Sequence, residues 1–430
     1  MIQLSELSDE ALLDQLEHAA FTYFLENVNP ANGLVADTSR PGAPVSIAVL
    51  GFALSCYPIA VERGWIDRFS ALELATTALR FFWNSDQSGG RTATGYKGFY
   101  YHFLDHETGA RVWQSELSMI DTALLISGML AARSYFNGNS DDERELRELA
   151  EKLYLRVDWR WSQGEAETLR MGWKPECGFL HYGWDGYNEA IILYALAAGS
   201  PSHPITPGSY KAWTATYQWE NIYGQDFLYA GPLFVHQFSH GWIDFRGIRD
   251  SFMREKNCDY FENSRRAIFV QREYALRNPE RFTGYAESTW GLTACEGPAG
   301  QHANRVNGNQ AAWGYAARGV PFGPDDGTIG ASAALASLPF APETVLKAVR
   351  QMLRLYPKIL PSLQFASGFN LSYPQSDGSP WTSPGHFGLD QGIIVMMIEN
   401  YRTELVWKLM KDCAYIGDGL RSAGFRGGWL

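Results

Sequence analysis

Hydrophobic positions along this chain mark out two kinds of helical segment. In residues 9–27, 141–158, 260–277 and 342–356 apolar side chains share one face with charges on the other, the pattern of helices that cover a surface. In residues 46–61, 121–132, 189–198 and 391–398 the segment is apolar nearly all round, so those helices are surrounded. Further segments near 68–84, 206–218, 230–239 and 329–337 bring the total to about twelve. The two kinds alternate along the chain, which predicts an inner ring of helices sheathed by an outer ring. The expected fold class is all-α, an (α/α)6 barrel. No Ser- or Pro-rich linker and no shift in composition breaks the chain, so residues 1–430 are expected to form a single domain. Strand signals are confined to short runs at 98–103 and 111–113. The loops at 85–115, 159–186, 280–328 and 361–388 are rich in Gly, Trp and Tyr, and long ordered loops in a compact domain usually carry function.

Composition sharpens this picture. The 430 residues are 46% hydrophobic and 19% charged, ample for a large core. Net charge is −11 with Lys and Arg scattered, which argues against a nucleic-acid partner. Five cysteines without C-x-x-C spacing read as free, mostly buried thiols rather than a disulfide framework or zinc ribbon. The stretch 41–61 carries no charge, yet Pro41, Pro44 and Pro58 interrupt it, so it reads as a buried helix and not as a membrane span. The run Met1-Ile-Gln-Leu-Ser-Glu-Leu7 lacks a basic segment followed by an apolar one. The expected location is therefore the cytoplasm, or the periplasm if a leader has been trimmed.

Candidate chemistry lies at the mouths of the apolar helices. Asp121 leads into Thr122-Ala-Leu-Leu-Ile126, Glu189 into Ala190-Ile-Ile-Leu193, and Asp390 into Gln391-Gly-Ile-Ile-Val395. A carboxylate beside buried apolar surface is costly without partners, so three such placements suggest acids gathered in one cleft, the geometry of acid/base chemistry. Glu189 follows a tight glycine- and aromatic-rich loop, and desolvation against Trp184 or Tyr187 would raise its pKa, as a general acid requires. It reads equally as an early-turn Glu satisfying backbone N–H groups, and Asp390 equally as an N-cap. Glu116 and Asp121, five apart, would point ~140° away from each other on one helix. They converge only if Glu116 lies in the loop before it. Glu287 sits between glycine and aromatics in Phe282-Thr-Gly-Tyr-Ala-Glu-Ser-Thr-Trp290 and is a further substrate-ligand candidate, while Asp325 and Asp326 read first as a turn and cap.

His236 and His240 are four apart, but the Glu of an H-E-x-x-H motif is missing. They are expected to line the cleft rather than bind metal. No G-x-S-x-G elbow is present, and the loop at Val306-Asn-Gly308 does not approach a dinucleotide turn. No metal and no cofactor is expected. Aromatic residues make up 14% of the chain, and many flank these acids, including Trp113, Trp184, Tyr187, Trp290 and Trp381. Trp and Tyr offer an apolar face with a polar edge, which suits the C–H faces and hydroxyl rims of sugars.

These residues carry a resemblance. The segments Glu116-Leu-Ser-Met-Ile-Asp121, Gly183-Trp-Asp-Gly-Tyr-Asn-Glu-Ala190, Leu233-Phe-Val-His-Gln-Phe-Ser-His-Gly-Trp242, Asp259-Tyr-Phe-Glu-Asn-Ser-Arg265, Trp290-Gly-Leu-Thr-Ala294, Asp326-Gly-Thr-Ile-Gly330 and Gly388-Leu-Asp-Gln-Gly392 with Ile398-Glu-Asn-Tyr-Arg402 resemble the bacterial glucoamylase-like proteins of glycoside hydrolase family 144. That family includes endo-β-1,2-glucanases. The resemblance covers roughly residues 10–410. It implies an (α/α)6 barrel and inverting hydrolysis of β-linked glucan, β-1,2-linked above all. It places the general acid on Glu189 and the base on Asp390, which acts on water directly or through a substrate hydroxyl. Glu116, Asp121, Trp184, Tyr187, His236, His240, Glu287, Trp290 and Trp381 are then expected to hold an oligo- or polysaccharide. If inversion holds, the two catalytic carboxyls are expected ~6.5–9.5 Å apart. The chain departs from the family pattern at Asn188, at Gly330-Ala-Ser332 and in the loop 296–315. A transglycosylase, or a glucan-binding protein without catalysis, remains a rival reading on the same scaffold.

Overall fold

A computed structural model describes residues 4–298 and 312–430. Residues 1–3, the Val306–Gly308 stretch and most of the loop 296–315 lie outside the described residues. The chain is mostly helical, as expected. Among the described residues the strands form only six small sheets of two or three strands. By contacts the chain gathers into two compact units, each assembled from three separate stretches. One comprises Phe24–Tyr217, Ser239–Tyr260 and Thr403–Leu430 and carries Glu189. The other comprises Met1–Tyr23, Gln218–Phe238 and Phe261–Arg402 and carries Asp390.

The Glu189 unit is organised around two apolar helices, Ile47–Glu62 and Met119–Tyr135, which pack along one another. Every residue from Ile47 to Ala60 is buried. So is every residue from Met119 to Ala132 except Asp121. The two backbones approach closely because Gly51 and Gly128 face each other. A Cβ on Gly128 would stand 2.1 Å from the Gly51 carbonyl oxygen, and one on Gly51 would stand 2.3 Å from that of Leu124. Only glycine permits that approach. The helices Arg68–Asn84 and Asp141–Arg156 pack on each other outside this pair. Their N-termini are capped by Asp67, which accepts from the Ser70 amide, and by Ser140, which accepts from that of Glu143. The third apolar helix, Ile191–Gly199, packs against Ala414–Ser422.

The Asp390 unit contains the helices Pro342–Leu355, Ala331–Ala336 and Gly388–Arg402. The short Ala331–Ala336 helix packs against the other two. At the far end of the Gly388–Arg402 helix, Arg402 reaches the fully buried Glu17, with Nη1 2.7 Å from Oε2.

Several elements differ from expectation. The segment near 206–218 is helical only over Ser209–Thr214. That near 230–239 divides into a 3-10 turn, Leu233–His236, and a short helix, Phe238–Trp242. The helices Leu405–Lys411 and Ala414–Ser422 and the hairpin of Trp219–Ile222 with Gln225–Leu228 were not expected. Four cysteines are buried and Cys177 is exposed, all of them free. No helix among the described residues is long and apolar enough to cross a membrane.

Candidate active site

Asp121 is the one half-buried position on an otherwise buried stretch of helix. The Ser118 side chain caps this helix by accepting from the Asp121 amide at 3.2 Å, and its hydroxyl donates back to the Asp121 carboxylate. Glu116 lies two residues before the cap. It precedes the strand Leu117–Ser118, which pairs with Gly172–Lys174. Glu116 is therefore off the helix, the condition under which the two acids can converge. A residue absent from the sequence expectations joins them. Nδ1 of His102 stands 2.9 Å from Glu116 Oε1, and Nε2 stands 3.6 Å from Asp121 Oδ2. The backbone fixes this placement, since the His102 amide donates to the Glu116 carbonyl at 2.8 Å. The imidazole also stacks on Phe103, with ring centres 4.0 Å apart.

Burial opposes charge on His102, but Asp121 and Glu116 outweigh it and push its pKa up to about 9. Burial would raise Glu116, yet the hydrogen bond and charge of His102 prevail and hold it below the usual value. A fourth group belongs to this set. Asp37 is raised to about 6, chiefly by burial, which the His102 charge opposes and the Asp121 charge reinforces.

Glu189 is half-buried in the turn before its helix. The helix begins at Ile191, with Ala190 as N-cap, rather than at 189 as the sequence suggests. The shift has a local cause. Asn188 Oδ1 accepts from the Ala190 amide at 3.0 Å, Ser239 Oγ accepts from the Ile192 amide at 3.1 Å, and the Ser239 hydroxyl donates to the Glu189 carbonyl at 2.6 Å. The Ala190 and Ile192 amides, donors that an early-turn carboxylate could have served, are thereby satisfied. Burial pushes its pKa up to about 7. Its own backbone N–H works the other way, and Asp121 adds to the rise. Glu189 thus shares an electrostatic neighbourhood with Asp121, which in turn couples to His102 and Asp37.

Within the Asp390 unit, Asp390 is the third residue of the Gly388–Arg402 helix and not its N-cap. Its Oδ1 accepts from the Ser332 hydroxyl at 3.1 Å. From Gln391 to Asn400 the helix is buried, while Leu389 and Asp390 are half-buried. Asp326, in the same unit, is occupied by the fully buried Arg318. Its two oxygens lie 2.7 and 2.8 Å from Nε and Nη2, and it also accepts from the Trp313 and Thr328 amides. Asp325 accepts from the Tyr274 and Tyr285 hydroxyls. Both aspartates organise their loop.

The remaining candidates fall in varied surroundings. Trp184 and Tyr187 are buried, Tyr187 against Tyr217 and Tyr260, with ring centres 5.7 and 5.8 Å away. Trp290 is fully buried. His236 is buried with Nε2 3.1 Å from the Ala230 carbonyl oxygen, and burial pushes its pKa down to about 4. His240 is buried against Phe245, ring centres 4.7 Å apart. The two histidines occupy different short helices, so their four-residue spacing does not define one face. All five rings are packed into their surroundings. Glu287 is engaged by Arg272 and by Lys347, the latter at 3.3 Å. Trp381 is half-buried on the strand Pro380–Thr382, opposite Asn370. Among the described residues no group of three or more His, Cys, Asp or Glu is arranged to hold a metal ion.

No sequence periodicity points to His102 or Asp37. Each stands in a stretch that pairs at the mouth of the Ile47–Glu62 helix. Asp37 donates its amide to the Pro44 carbonyl, and the His102 carbonyl accepts the Ile47 amide.

Known proteins resemble this chain over nearly its whole length. The exo-β-1,2-glucooligosaccharide sophorohydrolase (non-reducing end) of Parabacteroides distasonis is 28% identical over 96% of this chain, which spans only 58% of that relative's length. A solved structure from Bacteroides uniformis shares the fold with a TM-score of 0.87 at 29% identity, over 99% of each chain. The endo-β-1,2-glucanase of Chitinophaga pinensis, solved as a complex with sophorotriose and glucose, gives 0.83 at 28% identity, over 99% of this chain and all of that one. The family model described as "Glycoamylase: putative glucoamylase" matches residues 181–414. That match spans more than half of the chain and includes both Glu189 and Asp390, and the protein belongs to this glucoamylase-like family.

Proposed function

We propose that the protein is a glycoside hydrolase that cleaves β-1,2-linked glucan by an inverting acid/base mechanism on an (α/α)6 scaffold formed by the chain as one catalytic domain. The observation that carries this reading is Glu189, a half-buried carboxyl raised to about 7 by burial with Asp121 nearby. A carboxylic acid still partly protonated at neutral pH can give a proton to a leaving oxygen. The names of the relatives support the linkage, since both the sophorohydrolase and the glucanase are described as acting on β-1,2-glucans.

In this mechanism Glu189 protonates the glycosidic oxygen as the bond to the anomeric carbon breaks. Asp390 accepts a proton from the attacking water, directly or through a sugar hydroxyl, and the new hydroxyl forms on the opposite face of the ring. Glu116 and Asp121 accept hydrogen bonds from sugar hydroxyls, and the charge on His102 keeps Glu116 anionic for that task. No cofactor takes part.

The test is incubation with linear glucans of each linkage, with reducing ends assayed, product sizes read by chromatography and the first-formed anomer read by NMR. Reducing-end release from β-1,2-glucan with inverted anomers supports the reading. New linkages or rings without net release would make the protein a transglycosylase. Binding without product would make it a glucan-binding protein.

A further inference from the structure

Beside the His102 cluster, the Glu189 unit holds a hollow of about 490 Å³, within the range of small-molecule sites. Trp113, Pro44 and Val112 give it apolar surface, and Arg40, Thr38 and His106 give it polar groups. Trp113 is its most unusual feature. Its side chain is 70% exposed, although a large aromatic surface normally seeks cover. Trp113 and Gln114 both adopt left-handed backbone, with φ of 55° and 52°. Two consecutive non-glycine residues in that region are costly, and such strain collects at functional positions.

Ring contacts link the hollow's Trp113 to the candidate site. Trp113 leans on Phe103, with ring centres 5.1 Å apart, and Phe103 stacks on His102 at 4.0 Å. Backbone pairing of Ala36 with Val45 and of Leu104 with Arg111 ties together the segments that carry the lining. Arg40 also acts through its charge on Asp37. One row of rings therefore leads from the imidazole that holds Glu116 to an exposed indole over a polar-rimmed hollow.

We propose that the hollow beneath Trp113 is a sugar-binding subsite that takes glucosyl units of the β-1,2-glucan beyond the bond being cleaved, and so sets the preference for chain length. The proposal rests on the glycosidase reading above. An exposed indole face matches the C–H face of a glucose ring, and Arg40, His106 and Thr38 match its hydroxyls. The left-handed pair holds the indole out before any ligand arrives, so little ordering is required on binding.

The experiment compares kcat/KM of the wild type and Trp113→Ala on linear β-1,2-glucooligosaccharides of increasing length. Trp113→Phe serves as the conservative variant, and Phe69→Ala, which removes an exposed ring on the Arg68–Asn84 helix, controls for loss of surface aromatics. The proposal predicts a loss in Trp113→Ala that grows with chain length to on the order of tenfold or more for the longest chains, falls mainly on KM, and is largely restored in Trp113→Phe. A loss equal at all lengths, or no loss, overturns it. A wild type that hydrolyses no β-1,2-glucan overturns instead the functional reading beneath it.

Discussion

One imidazole connects two acids that helical geometry alone would separate: Nδ1 of His102 stands 2.9 Å from Glu116 Oε1 while Nε2 faces Asp121 Oδ2 at 3.6 Å. The cation sits among Glu116, Asp121 and Asp37, and each feels its charge or returns it. Replacing it with a neutral group of similar reach should let the carboxylates repel one another. In His102→Gln we expect Asp37 to titrate above its present value of about 6 and Glu116 to rise from its lowered value, with kcat/KM reduced. Carboxyl-carbon NMR titration of the variant reads this directly. Unmoved titrations would mean that the imidazole is only a packing group.

The pH dependence of activity follows from Glu189. The acid must be protonated to act, and its pKa is raised to about 7. Activity should therefore fall as pH rises through about 7, approaching a tenfold loss per pH unit beyond it. A kcat/KM profile on β-1,2-glucan measures the limb. A profile flat from pH 6 to pH 9 would exclude Glu189 as the acid.

A stability prediction comes from the crossing of the two apolar helices. Gly128→Ala would bring a methyl group to 2.1 Å from the Gly51 carbonyl oxygen. Backbone on both sides leaves no flexible neighbour to yield, so the helices must separate, at a cost of about 1–3 kcal/mol or more. Denaturant unfolding checks this, and a wild-type midpoint would contradict the packing described.

The buried pair of Arg318 and Asp326 leads to a further expectation. Arg318 is fully buried and contacts both Asp326 oxygens. Arg318→Met would strand a buried carboxylate, at a cost of about 3–5 kcal/mol. Part of that loss should return as pH falls and Asp326 takes up a proton. Unfolding midpoints across pH measure it, and a loss independent of pH would assign the role of Arg318 to packing alone.

Much of this was legible in the chain, and the reasons are specific. The all-round apolar runs at 46–61 and 121–132 announce buried helices, because no surface helix tolerates such a pattern. The carboxylates at the mouths of the apolar runs 121–132, 189–198 and 391–398 stand out because each is expensive where it lies. Glu189 and Asp390 are candidates for that reason. His102 is not, because its role depends on a strand pairing that links residues 102 and 116, and no periodicity reports such a contact. Trp184, Tyr187 and Trp290 show the converse limit. Their neighbourhood is as aromatic as the sequence says, but whether a ring faces sugar or core is decided by packing, and here the core has them. His236 and His240 show a third limit. Their spacing suits one helix, whereas the chain turns between them.

The most direct measurement is reducing-end release from linear β-1,2-glucan by Glu189→Gln beside the wild type, with folding of the variant confirmed by its unfolding transition. The account predicts a loss of about 10²–10⁴-fold, the share that general acid catalysis supplies, together with disappearance of the activity limb near pH 7. Hydrolysis at the wild-type rate, with that limb still in place, would contradict it.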